Sequence, residues 1–169
     1  MPDIPTTHDH VLAIHPTSRG FGWALFEAPD ALLDWGLVHS AYRKRGDLVT
    51  RLRRILSHYQ PSVLVLEEYA DDASERTGRI QALNLAFEQV AAEHGVSMAV
   101  YDRELVASVL GVPSRASRYD VACAVANRIE DLSHRMPPKR KFGNSEDARQ
   151  SLFAAAALSM TRYAVMGLD

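Results

Sequence analysis

The sequence predicts an α/β fold in which helices flank a mixed five-stranded sheet. Five short apolar segments have the composition of strands; they span residues 11–14, 21–26, 32–38, 63–66 and 96–101. The first three follow one another closely, and turn-forming residues such as Pro29 and Asp30 separate the second from the third. The last two alternate with segments of helical periodicity. This order of elements is typical of a sheet covered by helices.

Helical periodicity identifies the elements between and after the strands. Within residues 47–59, the apolar residues recur at helical spacing and the arginines lie on the other side. Pro61 ends this helix, and Gly95 ends a longer one that begins near Thr77. Further helices are predicted over residues 104–110, 119–132 and 146–163, with a Pro- and Gly-containing loop over 134–144. The uninterrupted apolar segment 63–66 favours a central strand that is covered on both faces.

Composition limits the class of protein. The 169 residues suit one domain, so we expect a single domain over residues 1–169 with residues 1–9 flexible. The net charge of −2 excludes a uniformly basic molecule, and any nucleic-acid surface must therefore be a local patch. The one cysteine, Cys123, excludes an intramolecular disulfide and indicates a reducing compartment. No apolar run is long enough for a membrane span, and residues 1–10 lack a signal-peptide pattern, so we expect a cytoplasmic protein.

Polar residues stand at the ends of two predicted strands and at the start of the last helix. His15 follows the first strand and Glu67 follows the fourth, and ligands of open α/β sheets collect beyond such strand ends. A carboxylate after a buried strand is costly unless it meets water, a cation or a metal. Asp147 and Gln150 share one face of the last helix by their spacing. We therefore expect these residues to form a site, although a histidine at a strand end is also commonly a backbone-bonded structural residue.

The order of these segments resembles the RuvC family of Holliday junction resolvases from about residue 10 to residue 163. Residues 14–18 (Ile-His-Pro-Thr-Ser) and 20–23 (Gly-Phe-Gly-Trp) are similar to the end of the family's first strand and its glycine-rich second strand. Glu67 matches the family's second acid, and Asp147 and Gln150 match two acids of its final helix. The resemblance implies an RNase H-like fold and a homodimeric, metal-dependent endonuclease that acts on branched DNA. It also implies that the long helix beginning near residue 77 faces the partner subunit.

The resemblance implies a site for two divalent ions, and this sequence departs from that site at two of four positions. In such sites the ions clamp the attacking and leaving oxygens of a phosphodiester. Glu67 and Asp147 are retained as catalytic and metal-binding residues, whereas His15 and Gln150 replace acids. Imidazole is a poor ligand for Mg²⁺ but an acceptable one for Mn²⁺, and an amide oxygen carries no charge. Other acids that offer compensation are Glu68, Asp71, Asp72 and Glu146.

Three functions therefore remain open from the sequence. The first is an active endonuclease that uses Mg²⁺ or Mn²⁺ in an altered site. The second is a protein that binds branched DNA without cutting it and needs no metal. The third is an interaction protein that keeps only the fold, because fold does not fix function.

Basic residues supply candidate DNA contacts. Lys139, Arg140 and Lys141 directly precede the last helix, where phosphates need neutralisation. The resemblance places Arg118 where the family has a lysine that opens a helix. Arg76 and Arg79 open the long helix after Glu67, and a further basic cluster lies at residues 43–45, 51, 53 and 54. Charge runs of this kind are also common on solvated faces that bind nothing.

Overall fold

A computed structural model describes residues 9–40, 44–69, 75–141 and 147–167. Its five strands are β1 (Val11–Pro16), β2 (Gly20–Ala28), β3 (Ala31–His39), β4 (Val63–Glu67) and β5 (Ser97–Tyr101). They form one sheet in the order β3-β2-β1-β4-β5, with β1 and β4 parallel, β4 and β5 parallel, and the two hairpin pairs antiparallel. The predicted mixed five-stranded sheet is confirmed. The expected flexibility of residues 1–9 concerns mainly residues 1–8, which lie outside the described residues.

The helices follow the predicted order with two differences. They are α1 (Arg45–Tyr59), α2 (Glu75–Glu93), α3 (Arg103–Leu110), α4 (Arg118–Arg128), α5 (Glu130–Ser133) and α6 (Arg149–Val165). The helix predicted over 119–132 is two helices, because Ile129 takes an extended conformation between them while its side chain stays buried. The last helix begins at Arg149 rather than at residue 146. None of the helices in the described ranges has the length and apolarity that a membrane span requires.

The alternation of side chains along the strands divides the core into two layers. Helices α1 and α2 cover one face of the sheet, here called the α1–α2 face, where Leu12, Ile14 and Leu66 are buried. Helices α3 to α6 cover the other, here called the α6 face, where Ala13 and Val65 are buried. Because successive strand residues point to opposite faces, His15 and Glu67 follow Ala13 and Val65 onto the α6 face.

A glycine sets the distance between the sheet and α6. Gly22 pairs with His15 across the β1–β2 hairpin. A Cβ atom at Gly22 would lie 2.4 Å from the carbonyl carbon of Ser151 and 2.5 Å from the backbone nitrogen of Leu152. The α6 backbone thus rests directly on β2, and only glycine permits this approach. The first turn of α6, which contains Gln150, is thereby held next to His15.

Candidate functional site

The candidate site lies where the parallel strands β1 and β4 end. Ala13 and Val65 are paired in the register of these strands, so His15 and Glu67, two residues further along, emerge side by side. His15 is 2% exposed and the Glu67 side chain is 16% exposed. The strand ends therefore bring His15 and Glu67 together, and that they form a functional site stays a prediction.

His15 and Glu67 form a short, nearly buried hydrogen bond. His15 Nε2 lies 2.7 Å from Glu67 Oε2. Because an ionised carboxylate only accepts hydrogen bonds, Nε2 carries the proton and donates it. The hydroxyl of Tyr69, two residues after Glu67, lies 3.1 Å from the same ring nitrogen. One carboxylate oxygen is thus already occupied by a donor of the chain itself.

The surroundings of Glu67 favour its ionised form. Burial acts to raise the pKa of the Glu67 carboxyl, but the hydrogen bond and charge of His15 outweigh it, with further contributions from the nearby Arg118 and Tyr69. The net result is a Glu67 pKa below its usual range. Burial and the Glu67 charge raise the pKa of Tyr69, so its hydroxyl keeps its proton. The group is therefore a carboxylate surrounded by hydrogen-bond donors.

A cavity of about 40 Å³ adjoins this group beneath α3, α4 and α6. Its polar lining includes His15, Glu67, Arg118 and Gln150, and its apolar lining includes Ala157 and other small or aliphatic residues. Within the described parts of the chain, two buried polar atoms at this cavity have no hydrogen-bond partner: His15 Nδ1 and Gln150 Oε1. A space of this size holds one or a few water molecules, which would satisfy both atoms.

Asp147 lies apart from this cavity and is paired with a basic residue. Its carboxylate accepts two hydrogen bonds from the Arg149 guanidinium, at 2.9 Å from Nε and 2.7 Å from Nη2. The backbone N–H of Arg149 donates a third, at 2.9 Å. The hydrogen bond and charge of Arg149 lower the pKa of Asp147 despite partial burial. Asp147 precedes α6, so its side chain does not follow the helical spacing that the sequence predicted for it and Gln150.

Those residues that the structure describes do not fit the two-metal site that the resemblance implies. Such a site needs several carboxylate oxygens directed at shared ions. Here one Glu67 oxygen binds His15, both Asp147 oxygens bind Arg149, and the guanidinium of Arg118 lines the cavity. Across the described ranges, no group of three or more His, Cys, Asp or Glu side chains is arranged to hold a metal ion. Glu68 is exposed, while Asp71, Asp72 and Glu146 lie outside the described residues.

The basic candidates lie at different distances from the cavity. Arg118 lines it at the start of α4. Lys139, Arg140 and Lys141 are exposed, and hydrogen bonds from Ser117, with a smaller effect of the Lys139 charge, lower the pKa of Asp120 in α4. This places Lys139 near the first turn of α4. Arg76 and Arg79 are exposed in the first turns of α2 and do not line the cavity.

Sequence reasoning missed three residues of this region. Tyr69 follows β4 without any periodic signal, and its contact with His15 depends on the folded chain. Arg103 lines the cavity and donates a 2.8 Å hydrogen bond to the carbonyl of Ala116, which fixes the loop before α4. Arg149 was predicted only as a helical residue, and its pairing with Asp147 depends on α6 beginning after Asp147.

The chain is similar to known proteins in its structure. No protein-family model and no curated protein sequence matches the chain. The RuvC of T. thermophilus, solved in complex with a Holliday junction substrate, is similar at a TM-score of 0.71 and 20% identity, covering 95% of this chain and 98% of that one. The yeast mitochondrial Holliday junction resolvase Ydc2 has a TM-score of 0.59 at 15% identity, covering 95% of this chain and 81% of that one. Fowlpox virus resolvase, solved with substrate Holliday junction DNA, has a TM-score of 0.55 at 11% identity, covering 92% and 99% respectively. The chain therefore has the RuvC-type resolvase fold that its sequence pattern predicted.

Proposed function

We propose that this chain is a RuvC-like protein that binds branched DNA as a homodimer and does not cut it with magnesium. The DNA-binding part of the proposal is supported by the fold, since two of its structural neighbours were solved with Holliday junction DNA. A likeness at 20% identity or less carries the fold alone, so the function is argued from the site of this chain.

One observation carries the proposed absence of cutting: the 2.7 Å hydrogen bond between His15 and Glu67. The resemblance has an acid at position 15. In this chain His15 stands there, and its Nε2–H group donates a hydrogen bond to Glu67, which matches the family's second acid. Displacing His15 by Mg²⁺ would leave the nearly buried imidazole without its partner and gain only one carboxylate ligand. Such an exchange is unfavourable because Mg²⁺ needs hard, preferably anionic oxygen ligands in near-octahedral geometry. Glu67 and Asp147 are in this view retained acids that no longer act as catalytic residues.

Positive charge near the cavity supports contact with the DNA backbone. Arg118 lines the cavity, and Lys139 lies near the same helix start with Arg140 and Lys141 following in an exposed loop. Phosphate contacts of this kind give affinity without sequence reading. Arg76 and Arg79 are proposed as outer contacts on the α2 side.

The proposed dimer uses the outward face of α2. Gly78, Ala82, Leu85, Gln89 and Ala92 recur at spacings of four and three residues along this helix. All five are uncharged, and Leu85 is 60% exposed. A seam of this spacing with small residues lets a second α2 pack closely against it. We expect Leu85→Arg to give a monomer in sedimentation equilibrium, whereas the control Leu33→Arg, on a 43% exposed residue of β3, should leave the dimer intact.

Cleavage and binding of a synthetic four-way junction, measured on the same sample, test the function. We expect binding to the junction in preference to a linear duplex of the same sequence, and no cut product with either Mg²⁺ or Mn²⁺. Cutting in Mg²⁺ that Glu67→Gln abolishes would show that another acid completes the site. Cutting in Mn²⁺ alone would replace the proposal by an endonuclease of altered metal choice. Equal affinity for junction and duplex would refute the preference for branched DNA.

A further inference from the structure

The pair of Asp147 and Arg149 leaves part of a guanidinium available at the site. An arginine has five N–H donors, and two of them, on Nε and Nη2, bind the two Asp147 oxygens side-on. Among the residues that the structure describes, Asp147 is the side chain that accepts hydrogen bonds from the Arg149 guanidinium. The Arg149 side chain is 38% exposed, so solvent and a ligand can reach part of it.

The position of this guanidinium is fixed before any ligand arrives. The same carboxylate also accepts the backbone N–H of Arg149, so three hydrogen bonds hold the acid to the first residue of α6. The next residue, Gln150, is 6% exposed and lines the cavity beside His15 and Glu67. A free arginine side chain loses rotamer entropy when it binds a ligand, whereas Arg149 has already lost much of it.

We propose that Arg149 takes the position of a divalent cation on Asp147 and bridges this carboxylate to a phosphate of bound DNA. The proposal rests on the proposed function, because it requires that DNA reaches this face. A metal ion on a carboxylate binds phosphate oxygens on its free side. A guanidinium that is held side-on by a carboxylate can do the same with its outer N–H groups, because its planar fork matches phosphate oxygens.

The second retained acid, Glu67, also accepts a hydrogen bond from a side chain of the protein itself. Glu67 is covered by the Nε2 donor of His15, as Asp147 is covered by Arg149. Each acid that would have held metal thus has a donor from the chain itself. The consequence is that the protein binds branched DNA equally well in chelator and in magnesium once ionic strength is matched.

The experiment measures junction affinity against salt concentration in EDTA for the parent and four variants. Arg149→Ala should reduce affinity about tenfold and lower the log–log salt slope by about one unit, the amount expected for one phosphate contact. Asp147→Asn should keep most of the slope, because it retains the arginine charge. Arg128→Ala is the matched control, since Arg128 is an exposed arginine at the opposite end of α4 from Arg118 and is not among the candidate DNA contacts.

The double variant Asp147→Asn with Arg149→Ala separates a lost phosphate contact from an uncovered acid. The proposal expects the double variant to keep the reduced slope of Arg149→Ala. Recovery of the parent slope would overturn the proposal, because repulsion by a bare Asp147 would then explain the loss. A slope for Arg149→Ala equal to that of Arg128→Ala, or a parent that binds only with Mg²⁺, would also overturn it while leaving junction binding intact. A parent that does not bind the junction under any condition refutes both this proposal and the proposed function.

Discussion

The two faces of the sheet end differently, although the same strands build them. On the α1–α2 face, the last residues of β1 are Ile14 and Pro16 and the last residue of β4 is Leu66, all of them buried and apolar. On the α6 face, the last residues of the same strands are His15 and Glu67. One core layer is therefore apolar up to the strand ends, while the other finishes in a hydrogen-bonded polar group beside a cavity. This comparison shows that a site can occupy one layer of a fold while the opposite layer supplies stability.

The α6 face depends on a close backbone approach, and breaking it should have the largest effect. Gly22→Ala places a methyl group 2.4 to 2.6 Å from backbone atoms of Ser151 and Leu152, which cannot rotate away. We expect a loss of about 3 kcal/mol in the free energy of unfolding, measured by urea denaturation. The matched control is Gly46→Ala in the first turn of α1, where nothing lies within 4 Å of the added carbon. That control should gain up to about 0.5 kcal/mol, because alanine loses less backbone entropy than glycine in a helix. Equal behaviour of the two variants would mean that α6 does not rest on β2.

The polar end of the α6 face should respond to pH in a way that the apolar face does not. His15→Ala leaves the Glu67 carboxylate without its main partner, and we expect a loss of about 2 kcal/mol at neutral pH. In the parent, the lowered pKa of Glu67 contributes stability above the ordinary carboxyl pKa, and this contribution is lost as pH falls through the folded-state value. In the variant, burial should instead raise the Glu67 pKa, so the difference from the parent narrows as the pH falls from the raised Glu67 pKa of the variant to the lowered one of the parent.

Two further variants check this origin of the His15 effect. Adding Glu67→Gln to His15→Ala should recover part of the lost stability, because no charge is then left without a partner. The control His39→Ala removes an exposed histidine of β3 and should change little. A His15→Ala loss that is constant from neutral to acid pH would show that lost packing, rather than the uncovered carboxylate, is the cause.

The sequence predicted the fold better than it predicted the site, and the residues show why. Strand alternation and helical spacing are local patterns, so the sheet and its helices could be read from them. The convergence of His15 and Glu67 followed from the rule for strand ends. The break at Ile129 was missed because burial of one side chain overrode helical periodicity. Arg149 was missed as a partner because Asp147 was assumed to lie inside the helix, whereas the helix begins two residues later.

The smallest predicted effect concerns magnesium, and it tests whether the polar end of the α6 face descends from a metal site. We expect no change in the melting temperature of the parent on adding Mg²⁺, because donors of the chain cover both retained acids.

His15→Asp with Gln150→Asp adds two charges near Glu67, so this variant should be less stable than the parent in chelator. It should gain some stability with Mg²⁺, and more when Arg149→Ala also uncovers Asp147. A site with a Kd of about 1 mM would gain about 1.4 kcal/mol at about 10 mM Mg²⁺, because the ion binds only the folded state. Melts with and without Mg²⁺ measure this gain. If Mg²⁺ shifts the parent and both variants equally, residues 15, 67, 147 and 150 do not share a site, and matching His15 and Gln150 to the family's acids is wrong.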